Sequence, residues 1–147
     1  MKKITLALGL MFAAGIGNAF ANEKKVSPVV LESFKNEFST AQEVSWQEGI
    51  GYYRAAFLFN GQNLSAYFSM GGELLSMDRN ISALQLPISL FIDLKNNHSE
   101  YWITDLFEVK NNEGTHYYVT LENADKVLRL SATNGSDWKR FSIKRKL

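Results

Sequence analysis

Tryptophan, tyrosine and arginine are the side chains of this sequence best suited to contacting another molecule. These three residue types are enriched among the residues that dominate binding energy at protein interfaces. Strand alternation places seven of them on one side of a predicted sheet: Tyr52, Arg54, Tyr67, Tyr118, Arg129, Trp138 and Arg140. We predict that this side binds a protein or peptide partner. Ordinary cross-strand stabilisation by aromatic and arginine pairs is the alternative.

Residue types that carry catalysis or bind metal ions show no recognisable pattern. The chain has two histidines, His98 and His116, and no cysteine. Neither histidine has the ligand spacing of a zinc site, although His116 falls on the predicted binding side. No G-x-S-x-G sequence marks a nucleophilic serine, and Gly71-Gly72 lacks the pattern of a phosphate-binding loop. We therefore expect no enzymatic activity, no cofactor and no metal.

The first 21 residues resemble a secretory signal peptide. Lys2 and Lys3 form a basic start, residues 4–16 are apolar, and Ala19-Phe20-Ala21 fits an A-x-A cleavage site. We expect cleavage after Ala21, so that a domain over residues 22–147 is periplasmic or secreted. No later segment has the roughly 18 apolar residues that a membrane-spanning helix needs.

The overall charge gives no global attraction to nucleic acid or to anionic membranes. The formal net charge of the whole chain is +1. Loss of Lys2 and Lys3 with the signal peptide leaves 14 basic against 15 acidic residues, about −1. Since binding to nucleic acid draws on an excess of positive charge, we expect no nucleic-acid partner.

A helix followed by four strands is predicted for the first half of the chain. Ser27 suits an N-cap and Pro28 suits the first helical position. Apolar residues then recur at helical spacing through Phe38. The stretch 51–74 reads as a β-hairpin around Asn60-Gly61, because a type I′ turn needs positive φ at both central residues.

The second half repeats this order of elements. Leu86-Pro87 precedes a mostly apolar helix, and strands are predicted at 103–110, 115–122, 126–132 and 137–144. We predict an α+β protein with two tandem helix-plus-four-strand repeats, at about 27–81 and 86–144. The repeats would form one antiparallel sheet with both helices on one face. Side chains expected to point to the helices are Phe57, Val119, Leu128, Leu130, Phe141 and Ile143.

Several apolar, aromatic and glycine positions resemble the PepSY-like, β-lactamase-inhibitor-like family of exported bacterial proteins. They are Val30, Phe34, Phe38, Val44, Trp46, Tyr53, Ala55, Phe57, Ala66, Tyr67, Phe68 and Gly72, followed by Leu86-Pro87 at the junction of two repeats. The second half departs from the pattern, with Asp105 or Leu106 where a Trp-like residue is expected. The resemblance implies a periplasmic or extracellular binding module that can inhibit a protein target.

These observations are compatible with two functions. The first is an exported, non-catalytic module that holds or inhibits a protein or peptide through the open side of its sheet. The second is a small-ligand carrier or enzyme whose site the fold assembles from scattered residues, which would need a closed pocket with converging polar groups. A structural domain without a dedicated ligand is a third reading.

Overall fold

The computed structural model describes residues 25–146. The predicted signal peptide and its cleavage site at Ala21 lie outside these residues. Helix α1 spans Pro28–Glu37 and helix α2 spans Ile88–Asn97, with a short 3-10 turn at Ala83–Gln85 before α2. Among the described residues, no helix has the length and apolar character required to span a bilayer.

Within residues 25–146, eight strands form one antiparallel sheet in which neighbours in sequence are neighbours in space. The strands are β1 (Gln42–Gly49), β2 (Tyr52–Phe59), β3 (Gln62–Ser69), β4 (Leu74–Asn80), β5 (Trp102–Asn111), β6 (Gly114–Glu122), β7 (Lys126–Thr133) and β8 (Lys139–Arg145). The predicted α+β class and antiparallel sheet are confirmed. β1 and β8 are the two edges.

The predicted helix starts are correct in position but not in their capping chemistry. Pro28 opens α1, and Ser27 lies at the N-cap without a side-chain capping hydrogen bond. Pro87 occupies the N-cap of α2, and His98 ends that helix as its C-cap. Proline at these positions loses no hydrogen bond, since the first helical N–H groups have no partner within the helix.

The tight turn between β2 and β3 has the predicted Asn-Gly geometry. Asn60 and Gly61 have φ values of 49° and 77°, the positive values that a type I′ turn requires at both central positions. Asn134 and Gly135, which follow β7, show φ values of 51° and 75°. These turns fix the register of the strands on either side.

Helix α1 packs on the first half of the sheet through an aromatic core. The Phe34 ring lies 5.1 Å from Trp46 and 4.9 Å from Phe57 between ring centroids, both edge-to-face. Trp46 and Phe68 are almost fully buried. Edge-to-face aromatic pairs stabilise beyond the area they bury, so this cluster fixes α1 against the sheet.

Helix α2 packs on the second half through an aliphatic core. Leu90 and Leu94 are buried on the helix and meet Val119, Leu121 and Leu130 of the sheet. Leu106 is also buried here, sixty residues after Trp46. Across the neighbouring strands β3 to β6, Leu64 of the first core lies opposite Arg79, and Arg79 lies opposite Glu108. Glu108 in turn lies opposite Tyr117 of the second core. Because opposed residues share a face, both helices lie on the same side of the sheet.

Polar side chains separate the two cores at the centre of the helix-covered side. Arg79 Nε donates to Glu108 Oε1 at 3.1 Å, and Arg79 Nη1 donates to Gln62 Oε1 at 3.2 Å. Burial, and next the neighbouring Glu108 carboxylate, raise the pKa of Tyr117. The two halves therefore share a continuous hydrogen-bonded sheet but keep separate apolar cores.

Candidate binding face

The open face is the side of the sheet opposite both helices. Arg54 lies opposite Gln47 on β1 and Tyr67 on β3, while Ala55 beside it is fully buried under α1. Since side chains alternate along a strand, Arg54 and Tyr67 point away from the helices. Tyr52 lies two residues before Arg54 on β2 and therefore points to the same side of the sheet. The sequence prediction for these three residues is thus correct in placement.

A hydrogen-bonded network crosses β1 to β4 on the open face. Arg54 Nη1 donates to Gln47 Oε1 at 2.9 Å, and Arg54 Nη2 donates to Ser65 Oγ at 2.8 Å. The Tyr67 hydroxyl donates to Asp78 Oδ2 at 2.7 Å. Each polar side chain is held by neighbours on adjacent strands, so the network is rigid before any partner arrives.

Aromatic contacts join the same residues. The Arg54 guanidinium carbon lies 6.0 Å from the centroid of the Tyr67 ring, within the range of a cation–π contact. The Tyr52 ring lies 5.8 Å from the Tyr67 ring. These contacts fix the ring planes and leave flat aromatic surface beside a positive charge.

The Tyr67 hydroxyl remains protonated over the physiological pH range. Burial raises the pKa of Tyr67 well above its ordinary value of 10.0, and the Asp78 carboxylate raises it further through its charge and its hydrogen bond. A protonated hydroxyl donates to Asp78, and ionisation would place two negative charges side by side. Tyr67 is thus a fixed hydrogen-bond donor and has no role as a base.

An aromatic cluster occupies the second half of the open face. The Tyr118 ring stacks on Phe107 at 5.4 Å between centroids and meets the Phe141 ring edge-on at 6.3 Å. Burial raises the pKa of Tyr118. The cluster spans β5, β6 and β8, so it presents a firm apolar surface with one hydroxyl.

His116 and Arg129 complete this half of the face. His116 lies opposite Val109 and Thr133, and its Nδ1 is 3.2 Å from Thr133 Oγ1. Arg129 lies opposite Thr120 and Ser142. Both side chains share the face of Tyr118, as the sequence predicts.

The prediction that Trp138 and Arg140 lie on the open face is wrong. Trp138 Nε1 donates to the backbone oxygen of Leu90 on α2 at 3.0 Å, and the indole packs against the second core. Arg140 lies opposite Leu130, a buried residue on the helix side. Both residues therefore belong to the helix-covered side.

A β-bulge explains these errors. Arg129 lies opposite Ser142 whereas the next residue, Leu130, lies opposite Arg140, which leaves Phe141 as an extra residue in β8. One extra residue reverses the alternation on one side of the bulge. Phe141 accordingly contacts Tyr118 on the open face instead of pointing to the helices. Ile143, beyond the bulge, lies opposite buried Leu128 as predicted.

Sequence reasoning missed three residues of the open face: Asp78, Phe107 and Phe141. β4 has a bulge between the pairs Tyr67–Ser76 and Phe68–Leu74. Because of this bulge, alternation counted from the preceding turn gives the wrong side of the sheet for Asp78. Phe107 follows a bulge in β5 in the same way. The pairing of Phe107 with Tyr118 was the available signal, since aromatic cross-strand pairs stabilise sheets.

One depression beside the 3-10 turn is a candidate site for a small ligand. A shallow, open depression of about 420 Å³ lies beside the 3-10 turn, lined by Asn80, Ile81, Ser82, Ala83, Ile103, Thr104, Asp105 and Leu106. Burial raises the pKa of Asp105 at its rim. Within residues 25–146, no group of three or more His, Asp or Glu side chains is arranged to hold a metal ion.

Comparison with solved structures shows which proteins share this fold. A putative periplasmic protein from Bacteroides eggerthii superposes with a TM-score of 0.71 at 15% identity, over 82% of this chain and 88% of that one. A DUF2874 family protein from Bacteroides uniformis gives 0.70 at 16% identity, over 81% and 88%. A BLIP-like protein from Bacteroides fragilis gives 0.67 at 19% identity, over 81% and 85%.

The chain has the fold of these Bacteroides proteins. This agrees with the β-lactamase-inhibitor-like part of the resemblance seen in the sequence, whereas the PepSY-like part stays a prediction. No family model matches the chain, and no curated protein matches it. The comparisons indicate no catalytic family.

Proposed function

We propose that this protein is an exported, non-catalytic binding module that holds a protein or peptide partner on the open face. The observation that carries the proposal is the pre-organised surface made by the Arg54–Tyr67–Asp78 network and the Phe107–Tyr118–Phe141 cluster. Neither helix covers this surface, because both pack on the other side of the sheet.

Pre-organisation is the physical reason why this face suits binding. Ordering a long side chain at an interface costs about 0.5–1.5 kcal/mol. Arg54 is already held by two hydrogen bonds, and Tyr118 by two ring contacts. A partner therefore meets aromatic and arginine side chains in place, the residue types that dominate interface energies.

The structural neighbours support an exported protein and a protein partner. One neighbour is described as BLIP-like, and another as a putative periplasmic protein. The predicted signal peptide ending at Ala21 fits a periplasmic or secreted location. Inhibition of the bound partner is the finer form of the proposal, as the family resemblance implies.

A small-ligand carrier or enzyme is the second candidate, and one observation favours it. The depression beside the 3-10 turn combines apolar Ile81 and Ile103 with the Asp105 carboxyl, whose pKa is raised by burial. Its open shape leaves a small molecule largely in water, whereas ligand sites bury most of their ligand. The open face is the stronger candidate for this reason.

We infer further that the two halves of the domain are tandem repeats. α1 begins at Pro28 and α2 at Ile88, and β1 begins at Gln42 and β5 at Trp102, sixty residues apart in both cases. The starts of the three later pairs of strands are 62 to 65 residues apart. Each half has a bulge in its first strand and another in the pairing of its last two strands. When the strand pairing of one half is aligned with that of the other, Trp46 is equivalent to Leu106 and Tyr53 is equivalent to Tyr117.

Capture of a partner by matched variants tests the proposed function. The double variant Arg54→Ala, Tyr118→Ala removes one anchor from each half of the open face and leaves both cores intact. The control Ile88→Ala, Ile92→Ala removes similar area from exposed positions on α2. The purified proteins are cross-linked in extract from the native cell envelope, and affinity for any captured protein is then measured.

We expect the face variant to bind the captured protein at least about thirtyfold more weakly than wild type, since even one hot-spot truncation costs about 2 kcal/mol or more. The control should bind as wild type does. Loss of binding in the control with retention in the face variant would move the site to the helix side and refute the proposal.

A further inference from the structure

Basic and acidic residues are segregated along this chain. Residues 126–146 contain seven basic residues and one acidic residue, whereas residues 25–125 contain six basic and thirteen acidic residues. The near-zero overall charge is thus the sum of a basic C-terminal segment at about +6 and an acidic remainder at about −7. Local attraction between charges acts over about 10 Å at moderate salt, so the basic segment attracts anions despite the neutral total.

Most of this positive charge lies on an edge strand. β8 is the last strand of the sheet, and among residues 25–146 no strand pairs with its outer side. Lys139 and Arg140 open the strand, and Lys144 and Arg145 close it. An unpaired edge presents N–H and C=O groups on which another strand can add.

The basic side chains of β8 point to both sides of the sheet. Lys144 lies opposite Val127 on the open-face side, and Arg145 lies opposite Lys126 on the helix side. At the start of the strand, Lys139 and Arg140 divide between the two sides in the same way. A strand added to this edge would therefore meet positive charge on each of its own two faces.

Apolar side chains fill the middle of the same strand. Phe141 is 42% exposed and Ile143 is 50% exposed, one on each side of the sheet. The edge thus has two basic residues, an apolar centre and two basic residues. A complementary strand would have acidic ends and an apolar centre.

Little within the described residues neutralises this charge. Lys146 Nζ forms a salt bridge with Glu122 Oε2 at 2.9 Å. The side chains of Lys139, Arg140, Lys144 and Arg145 form no hydrogen bond or ion pair with any residue of the range 25–146. Charge of one sign on an edge also repels an identical edge, so protection against self-pairing is the alternative that the experiment must separate from binding.

We infer that the β8 edge binds an acidic, extended segment of a partner protein, which adds to the sheet as a ninth strand. Backbone hydrogen bonds would supply affinity, and the acidic ends would set register against the two basic pairs of β8. This site shares Phe141 with the open face, but it uses the unpaired backbone and the basic ends of β8 and does not depend on the proposed function. Charge complementarity predicts binding that weakens as salt concentration rises.

A designed peptide, Glu-Glu-Val-Thr-Val-Glu-Glu, serves as the probe because its pattern complements β8 in either strand direction. Its binding to the purified protein is measured by titration calorimetry, and the contacted residues are located by amide chemical-shift changes. We expect saturable binding, shifts concentrated in β8, and affinity that falls about tenfold between low and high salt. The same peptide with alternate backbone nitrogens methylated should not bind, because it cannot complete the ladder.

Charge-reversal variants give the matched comparison. Lys144→Glu with Arg145→Glu should weaken peptide binding at least about tenfold. Lys95→Glu with Lys110→Glu makes the same change of net charge away from β8 and should bind as wild type does. The open-face variant Arg54→Ala, Tyr67→Ala changes only β2 and β3, away from β8. It should retain peptide binding, which separates this inference from the proposed function.

Four results would overturn the inference. Equal binding of the methylated peptide would reduce the contact to charge alone. Equal loss in both charge-reversal variants would make it an effect of net charge. Absence of peptide binding, together with β8-dependent binding to phosphatidylglycerol vesicles, would make the edge a membrane-surface site. Absence of binding to either probe would leave the basic strand as protection against aggregation.

Discussion

Tyr67 shows how one residue of the open face combines structural and surface roles. Its ring contacts Tyr52 and Arg54, and its hydroxyl donates to Asp78 from the neighbouring strand. The hydrogen bond to a carboxylate is worth about 1.5–3 kcal/mol, more than a bond between neutral groups. The residue therefore ties three strands together, and its half-buried side chain remains partly exposed on the open face.

The raised pKa of Tyr67 makes protein stability depend on alkaline pH. In the unfolded chain the hydroxyl ionises near its ordinary pKa of 10.0, whereas in the fold burial and Asp78 keep it protonated. Its contribution is therefore complete below about pH 10 and declines as pH rises further, because ionisation favours the unfolded state.

We expect Tyr67→Phe to reduce this alkaline decline. Urea unfolding at a series of pH values between about 8 and 11.5 measures it. The variant should also lose about 1.5–3 kcal/mol at neutral pH through its missing hydrogen bond to a carboxylate. Tyr52→Phe keeps the Tyr67–Asp78 bond and serves as the control. An unchanged alkaline slope in Tyr67→Phe would contradict the account of this residue.

At the scale of single elements, the turns explain why the hairpins were predictable. The Asn-Gly pairs at Asn60-Gly61 and Asn134-Gly135 signal turns through local backbone chemistry alone. Bulges in β4, β5 and β8 carry no such local signal, since they form where tertiary packing demands an extra residue. Strand existence was therefore predictable, whereas the side of the sheet taken by Phe141 and Arg140 was not.

Two glycines that border turns give a clean test of backbone conformation. Gly61 has a φ of +77°, and a Cβ added there would meet nothing within 4 Å. Gly71 also has open space, with only Ser69 Oγ at 3.8 Å, and does not have a positive φ of this kind. Any difference between alanine variants at these positions reports conformational strain instead of steric contact.

We expect Gly61→Ala to lower the free energy of unfolding by about 1–2 kcal/mol, because the left-handed conformation costs an L-residue that much. Gly71→Ala should change it by no more than about 0.5 kcal/mol. Chemical unfolding of both variants provides the measurement. Equal destabilisation by the two substitutions would mean that positive φ is not what the turn at Gly61 requires.

Across the whole molecule, the most predictable feature was that one side of the sheet is covered by helices and the other is open. Helical spacing of Val30 and Phe34 and strand alternation around Phe57 indicate a core on one side and an open face on the other. The prediction held for Tyr52, Arg54, Tyr67, Tyr118 and Arg129 because no bulge separates them from the turns that set their register. It failed for Trp138, whose indole hydrogen bond to α2 depends on a contact 48 residues away.

The net charge of the molecule, by contrast, was a poor guide to its charged surfaces. Overall net charge indicated no global attraction to nucleic acid or anionic membranes, whereas the basic cluster of residues 139–146 is visible in the sequence itself. The structure adds that this cluster lies on and just after the edge strand β8. Net charge is an average, whereas binding responds to the local field. The open face and the β8 edge are adjacent surfaces with different chemistry, one aromatic and rigid and the other basic and unpaired.

Photo-cross-linking in the intact cell tests the central claim, that the open face binds a partner, most directly. A photoreactive phenylalanine analogue replaces Tyr118 on the open face in one protein and Ile92 on the exposed surface of α2 in another. We predict that the Tyr118 position yields one discrete cross-linked partner and that the Ile92 position yields none. A partner cross-linked from Ile92 but not from Tyr118 would contradict the account, because it would place the binding surface on the side of the helices.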